Sequence, residues 1–185
     1  MEKKKNDFIA QGSILAIASI LVRVMGMIYR IPMTAIIGDK GNGFYSYAYS
    51  VYTILLLLSS YSLPLAVSKM VSAKAQLGQW RNVKRVFICA IAFAIGIGTT
   101  FGLIVLIGAQ FFTRVFFHSE LAAIALRFMA PTILIMALLG VFRGFFQGLQ
   151  NTLPTAVSQI VEGLINAIMS VVLSLIHISE PTRRS

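Results

Sequence analysis

Carboxylates are scarce in this chain: six Asp and Glu stand among 185 residues, against sixteen Lys and Arg. Charged residues of either sign make up 12% of the sequence, about half the ~25% typical of a soluble domain. Chemistry that needs paired carboxylates has few places to stand. Asp39 and Glu120 lie on separate loops with no supporting motif, which argues against an embedded glycosyltransferase. The single cysteine, Cys89, excludes a disulfide framework and a thiolate metal site. His118 and His177 are far apart and lack neighbouring acids. Neither a phosphate-cradling glycine loop nor a nucleophile elbow occurs. No catalytic set is visible, so the chain is not read as an enzyme, and no cofactor or metal is expected. A secretory signal is absent too: the stretch after Met1–Asp7 is too long for a signal core, and no small-residue cleavage site closes it.

What is abundant is apolar length. Hydrophobic residues reach 57% and the mean hydropathy is +0.82. Val86 to Phe112 is interrupted only by Gly, Thr, Cys and Gln. About 20 apolar residues at 1.5 Å each cross the ~30 Å hydrocarbon core, so the bilayer is the solvent. Five spans can be drawn: Phe8 to Ile37, Phe44 to Val71, Val86 to Phe112, Leu121 to Leu149, and a fifth from Pro154. The expected fold is all-α, a polytopic transmembrane helical bundle of about five spans. Residues 1–7 form a polar amino terminus and residues 8–172 carry the helices.

The net charge of +10 does not point to nucleic acid. Lys3, Lys4, Lys5, Lys69, Lys74, Arg81, Lys84 and Arg85 cluster in two short segments flanking apolar runs, where a nucleic-acid binder shows a basic stripe on a soluble fold. The segment Ser72–Arg85 reads as a basic loop without acids. The loops around Lys40 and Arg114 each carry a balancing acid, Asp39 or Glu120. The positive-inside rule therefore places the amino terminus in the cytoplasm. Tyr45, Tyr47, Tyr49 and Tyr52 then fall at the outer end of the second span, as an aromatic belt or a sugar-stacking platform.

Charges within the spans carry the functional expectations, because a charge at mid-bilayer costs about 2.5–3.5 kcal/mol on insertion scales. Arg23 and Arg30 are seven residues apart, which returns nearly to the same helix face about 10 Å along the axis. Ser19 and Gly26 lie near that stripe. One reading is a cationic cavity wall for an anionic group such as pyrophosphate, which guanidinium pairs bidentately. The other is snorkelling to the headgroups. Arg143 and Glu162 have similar depth in a hairpin turning near Gln150-Asn151, as an ion pair or with Glu162 as a coupling-ion site. Pro131 frees the carbonyl of Arg127 and can bend the fourth helix. Gly96, Gly98, Gly102 and Gly108 suit close helix packing.

Four segments resemble a known family: Arg23–Pro32 (RVMGMIYRIP), Ile37–Tyr49 (IGDKGNGFYSYAY), Pro64–Lys69 (PLAVSK) and Phe142–Glu162 (FRGFFQGLQNTLPTAVSQIVE). They are similar to polysaccharide biosynthesis proteins of the stage V sporulation protein B-like type. That group belongs to the multidrug/oligosaccharidyl-lipid/polysaccharide exporter superfamily and is related to lipid II flippases. The resemblance implies two six-helix lobes around a cavity opening alternately to either face, of which this chain would be an N-terminal fragment, an incomplete lobe. It implies that Arg23 and Arg30 hold the pyrophosphate of a carrier lipid, and that Asp39 is a gate or salt-bridge partner. The implied activity is flipping an undecaprenyl-pyrophosphate-linked sugar across the plasma membrane. The implied partners are that lipid-linked substrate, membrane lipids and the remaining helices, with no nucleic acid. A cation-coupled multidrug exporter and a non-transporting scaffold are the rivals. Leu173–Arg183 looks like translated sequencing-adapter DNA, so residues 173–185 are expected to be a non-native tail.

Overall fold

The computed structural model describes the backbone of residues 2–60, 62–117 and 121–179, with side chains from Gly12 to Met169 outside 32–33, 35–37, 39–41, 44, 58–61 and 117–121. The described elements are all helical: α1 (Glu2–Ser60), α2 (Leu63–Gln76), α3 (Trp80–Phe117), α4 (Leu121–Gly148) and α5 (Leu153–Ser179). The expected turn between the first two spans contracts to a kink inside α1. Only Gly38 leaves helical geometry there, at φ 71°, ψ 172°, a region essentially reserved for glycine.

The second span differs from its expected course. Instead of one helix from Phe44 to Val71, the chain breaks before Pro64 and restarts as α2, with the proline in the first turn. A proline ring clashes with the carbonyl four residues back, here Ser60 where α1 ends, and lacks an N–H that the first turn does not use.

The basic loop is also shorter than expected. Only Leu77, Gly78 and Gln79 separate α2 from α3. Gly78, at φ 68°, closes α2: its N–H donates to Ala75 O at 3.0 Å, and the Gln79 N–H donates to Lys74 O at 3.0 Å. This paired C-terminal motif reverses the chain in three residues. Lys74 therefore lies in the last turn of α2, and Arg81, Lys84 and Arg85 lie on the first turns of α3.

The chain divides into two compact units, Met1–Asn42 with Thr152–Ser185, and Gly43–Asn151. In the second unit α3 runs antiparallel to α4, and α2 runs parallel to α4. Small residues set these approaches, as expected where lipid replaces water and packing drives association. A Cβ built at Gly98 would stand 2.9 Å from Leu134 Cα, and one at Gly102 would stand 3.3 Å from Ala130 O. On α4, Gly144 meets the backbone of Pro64, and Gly148 comes so close to α2 that a Cβ would lie 2.8 Å from Ser68 O. The other two glycines expected to pack do not do so: Gly96 has open space beside it, and Gly108 meets the ring of Phe112 on its own helix.

Two apolar clusters fill this unit. One gathers Val51, Val105, Ala109, Leu126 and Ile133; the other gathers Val67, Val71, Ala94, Ala137 and Val141. Phe87 packs between Phe142 and Phe145, with ring centroids 5.5 and 4.4 Å away. The helix α4 runs unbroken through Pro131. It ends as α2 does, with the Asn151 N–H donating to Phe146 O and the Gln150 N–H to Gln147 O, both at 3.0 Å, so α4 stops at the expected place near Gln150-Asn151. Here the left-handed position is held by Gln150 at φ 60°.

In the first unit, the amino-terminal arm of α1 packs on α5. Ala18 is 2% exposed, and the nearest neighbours of a Cβ built at Gly163 are Met25 and Val22. Ser19 Oγ donates to Leu15 O at 2.9 Å and also reaches Gln159 Oε1 on α5 at 3.4 Å.

Candidate functional site

The arginine stripe begins from helix geometry. At about 100° per residue, Arg23 and Arg30 project within about 20° of each other. The contact with α5 uses a different face, built from Ala18, Ser19, Val22 and Met25. The arginines are turned about 100° from the middle of that face. Both side chains are exposed within their unit, and Gly26 stands between them on the same flank. The stripe lies in Gly12–Ile31, a segment long and apolar enough to cross a membrane. Its neighbours Ile20, Met27 and Ile31 are exposed apolar residues, so the two guanidinium groups are the exception on that surface.

The other expected site residues are dispersed. Asp39 immediately follows the Gly38 kink, and its side chain lies outside the described residues. Arg143 is half-buried on α4 beside Gly144, whereas Glu162 is half-buried on α5 beside Gly163. They belong to different units, and each takes part in a polar or electrostatic contact. His118 and Glu120 lie outside the described residues, as do 180–185 of the expected tail. Among the described residues, no group of three His, Cys, Asp or Glu side chains gathers as a metal would require.

The tyrosines form a ladder on the carboxy-terminal arm of α1. Tyr45 and Tyr49 stack at 5.8 Å with planes 18° apart, and Tyr49 meets Tyr52 at 6.0 Å. Sequence reasoning missed two features. Gln159 stands opposite Ser19, and Gly163 opens the seat for Val22 and Met25; the spacing of four between them, on one face of α5, was the available signal. The second is a furrow between α2 and α3 with a cationic mouth, lined at that end by Lys74, Asn82 and Arg85.

Among the described residues, three helical segments are long and apolar enough to span a bilayer: Gly12–Ile31, Trp80–Phe116 and Ala122–Gly148, with Leu153–Met169 a shorter apolar helix. With no strand among the described residues, this is a polytopic α-helical membrane protein. Its membership is narrower than that. The chain belongs to the polysaccharide biosynthesis protein family, which it matches over residues 8–179, including the first part of the segment read as a tail.

The relatives agree. The chain is 27% identical over 153 residues to the lipid II flippase MurJ of Bacillus subtilis, covering 78% of this chain and 28% of that protein. It is 27% identical over 154 residues to stage V sporulation protein B of the same organism, covering 83% of this chain and 30% of that protein. An uncharacterized B. subtilis membrane protein, YabM, is 27% identical over 155 residues, covering 83% of this chain and 28% of that protein. The chain thus spans less than a third of the length of these relatives. No solved structure matches it. Family and apolar helices together locate the chain in the bacterial plasma membrane.

Proposed function

We propose that this chain contributes helices of one lobe to a flippase that moves an undecaprenyl-pyrophosphate-linked oligosaccharide or peptidoglycan precursor across the plasma membrane. The observation that carries the reading is the pair Arg23 and Arg30, which share one flank of an apolar span and stay off the face packed on α5. A guanidinium in hydrocarbon is expensive unless a cavity or an anion receives it. Two of them about 10 Å apart along the axis suit an elongated anion such as pyrophosphate, which each would hold by paired N–H donors.

In this reading the amino terminus is cytoplasmic, because Lys3, Lys4 and Lys5 and the Lys74–Arg85 cluster carry the excess of positive charge and the segments around Lys40 and Arg114 do not. The carrier's isoprenoid chain stays in lipid while the arginines conduct its headgroup through a cavity completed by further helices. Moving a lipid between leaflets breaks no covalent bond, so the protein is not an enzyme. Asp39, Arg143 and Glu162 serve as gate or salt-bridge residues.

The test is complementation of a flippase-depleted strain by the full-length gene carrying Arg23→Ala or Arg23→Lys. Loss with alanine and partial loss with lysine are expected, since lysine keeps the charge but not the bidentate fork. Unimpaired growth with Arg23→Ala would refute the cavity role. Drug resistance abolished by Glu162→Gln, with cell-wall synthesis intact, would instead indicate a cation-coupled exporter.

A further inference from the structure

A charge imbalance marks the second unit. Between Gly43 and Asn151 the sequence has eight Lys and Arg but one acid, Glu120. Four of those cations meet at one end of the α2–α3 pair: Lys74, Arg81, Lys84 and Arg85. Three of them occupy the start of α3, whose first turn carries no acid. That placement sets positive charge against the positive end of the helix dipole. A counter-anion from outside the unit is what the arrangement lacks.

Beside these cations lie two adjoining hollows. One, of about 660 Å³, is an apolar furrow between α2 and α3 that runs from Lys74, Asn82 and Arg85 to Leu63 and Phe93. The other, of about 710 Å³, is bounded by Arg81, Lys84 and Arg85. Asn82, Arg85 and Cys89 border both, so a single molecule can enter each at once. Both volumes fall in the range of small-molecule sites, roughly 300–1,000 Å³. Eleven residues separate Lys74 from Leu63 and Asn82 from Phe93, so the furrow is about 16 Å long. That is about half of a ~30 Å hydrocarbon core, the depth of one leaflet.

We propose that this furrow is a binding site for an anionic glycerophospholipid of the bilayer. Its phosphate sits among Lys74, Arg81 and Arg85, where Asn82 offers an amide donor, and one acyl chain lies along the furrow toward Leu63 and Phe93. The site is independent of the Arg23–Arg30 stripe, which lies in the other unit. Its occupant keeps the α2–α3 end at a fixed depth in its own leaflet and supplies the missing negative charge.

The experiment uses the full chain in nanodiscs of equimolar dioleoylphosphatidylglycerol and dioleoylphosphatidylcholine, released for native mass spectrometry. One retained phosphatidylglycerol, favoured about tenfold or more over phosphatidylcholine, is expected from several cations acting on one phosphate. K74Q/R85Q should bring that preference near parity, whereas K3Q/K4Q, with equal charge loss, should leave it. Equal retention of the two lipids, or a preference that survives K74Q/R85Q, would overturn the site. Cys89, exposed on the furrow, gives a readout in the unaltered chain: maleimide labelling should be slower in phosphatidylglycerol nanodiscs than in phosphatidylcholine ones. Equal rates would overturn it, as would a Cys89–Cys89 crosslinked dimer in phosphatidylglycerol, which would mean that a second copy covers the furrow.

Discussion

Replacing Gly144 by alanine measures how much of the second unit depends on backbone contact between α4 and α2. A Cβ at this position would lie 2.9 Å from Pro64 Cα and 3.0 Å from its carbonyl carbon. Carbon atoms rest about 3.5–4.0 Å apart, so the two helices must separate by roughly 0.5–1 Å. The obstruction is main chain, which no rotamer change relieves. Overpacking of this kind costs about 1–3 kcal/mol. Alanine also returns close to 1 kcal/mol of helix propensity, which would obscure the packing term. Gly96→Ala supplies the correction: it is a mid-helix glycine of α3 with nothing near its Cβ, so it gains the propensity and meets no obstruction. The difference between the two variants isolates the contact. Sodium dodecyl sulfate titration of the purified chain, followed by far-ultraviolet circular dichroism and by Trp80 fluorescence, should find Gly144→Ala about 1–3 kcal/mol less stable than Gly96→Ala. Agreement within about 0.5 kcal/mol would refute the claimed close approach, because unobstructed substitutions vary by that much.

The same titration tests two backbone positions. Gln150→Gly should stabilise the chain by about 1 kcal/mol, since the left-handed turn after α4 is strained for a residue with a Cβ and free for glycine; a loss of stability would contradict the assigned cap. Gly38→Ala should destabilise by about 1–3 kcal/mol with little change in helix content, because φ 71°, ψ 172° is open essentially to glycine alone. An unchanged midpoint would mean that α1 does not need its kink.

Apolar run length and helix pitch made α3 and α4 legible from residues alone, and the i, i+7 spacing of Arg23 and Arg30 settled that they share a flank. Boundaries were harder, for identifiable reasons. Charges on the ends of α2 and α3 look like loop charges, because a composition reading does not see Gly78 reversing the chain in three residues. Pro64 sits inside an apolar run that looks continuous, yet its ring breaks the helix before it. The glycines of α3 were read as one packing set, although only Gly98 and Gly102 turn toward α4; Gly144 and Gly148, spaced by four, hold the tighter seam. What a stripe faces depends on which helices lie beside it, and that is a tertiary property.

The first unit is assembled from the two ends of the chain, and this gives its synthesis an order. The arm carrying Arg23 and Arg30 enters the membrane early, but its packing partner Gly163 follows only after the 109 residues of Gly43–Asn151 have been made. At about 5–20 residues per second, that interval is roughly 5–20 s. Throughout it the Val22–Met25 face has no α5 to rest on, and at its end the second unit holds all of its own helices. The ribosome therefore completes the middle of the chain before the first unit can close, and the arginine helix waits for its neighbour.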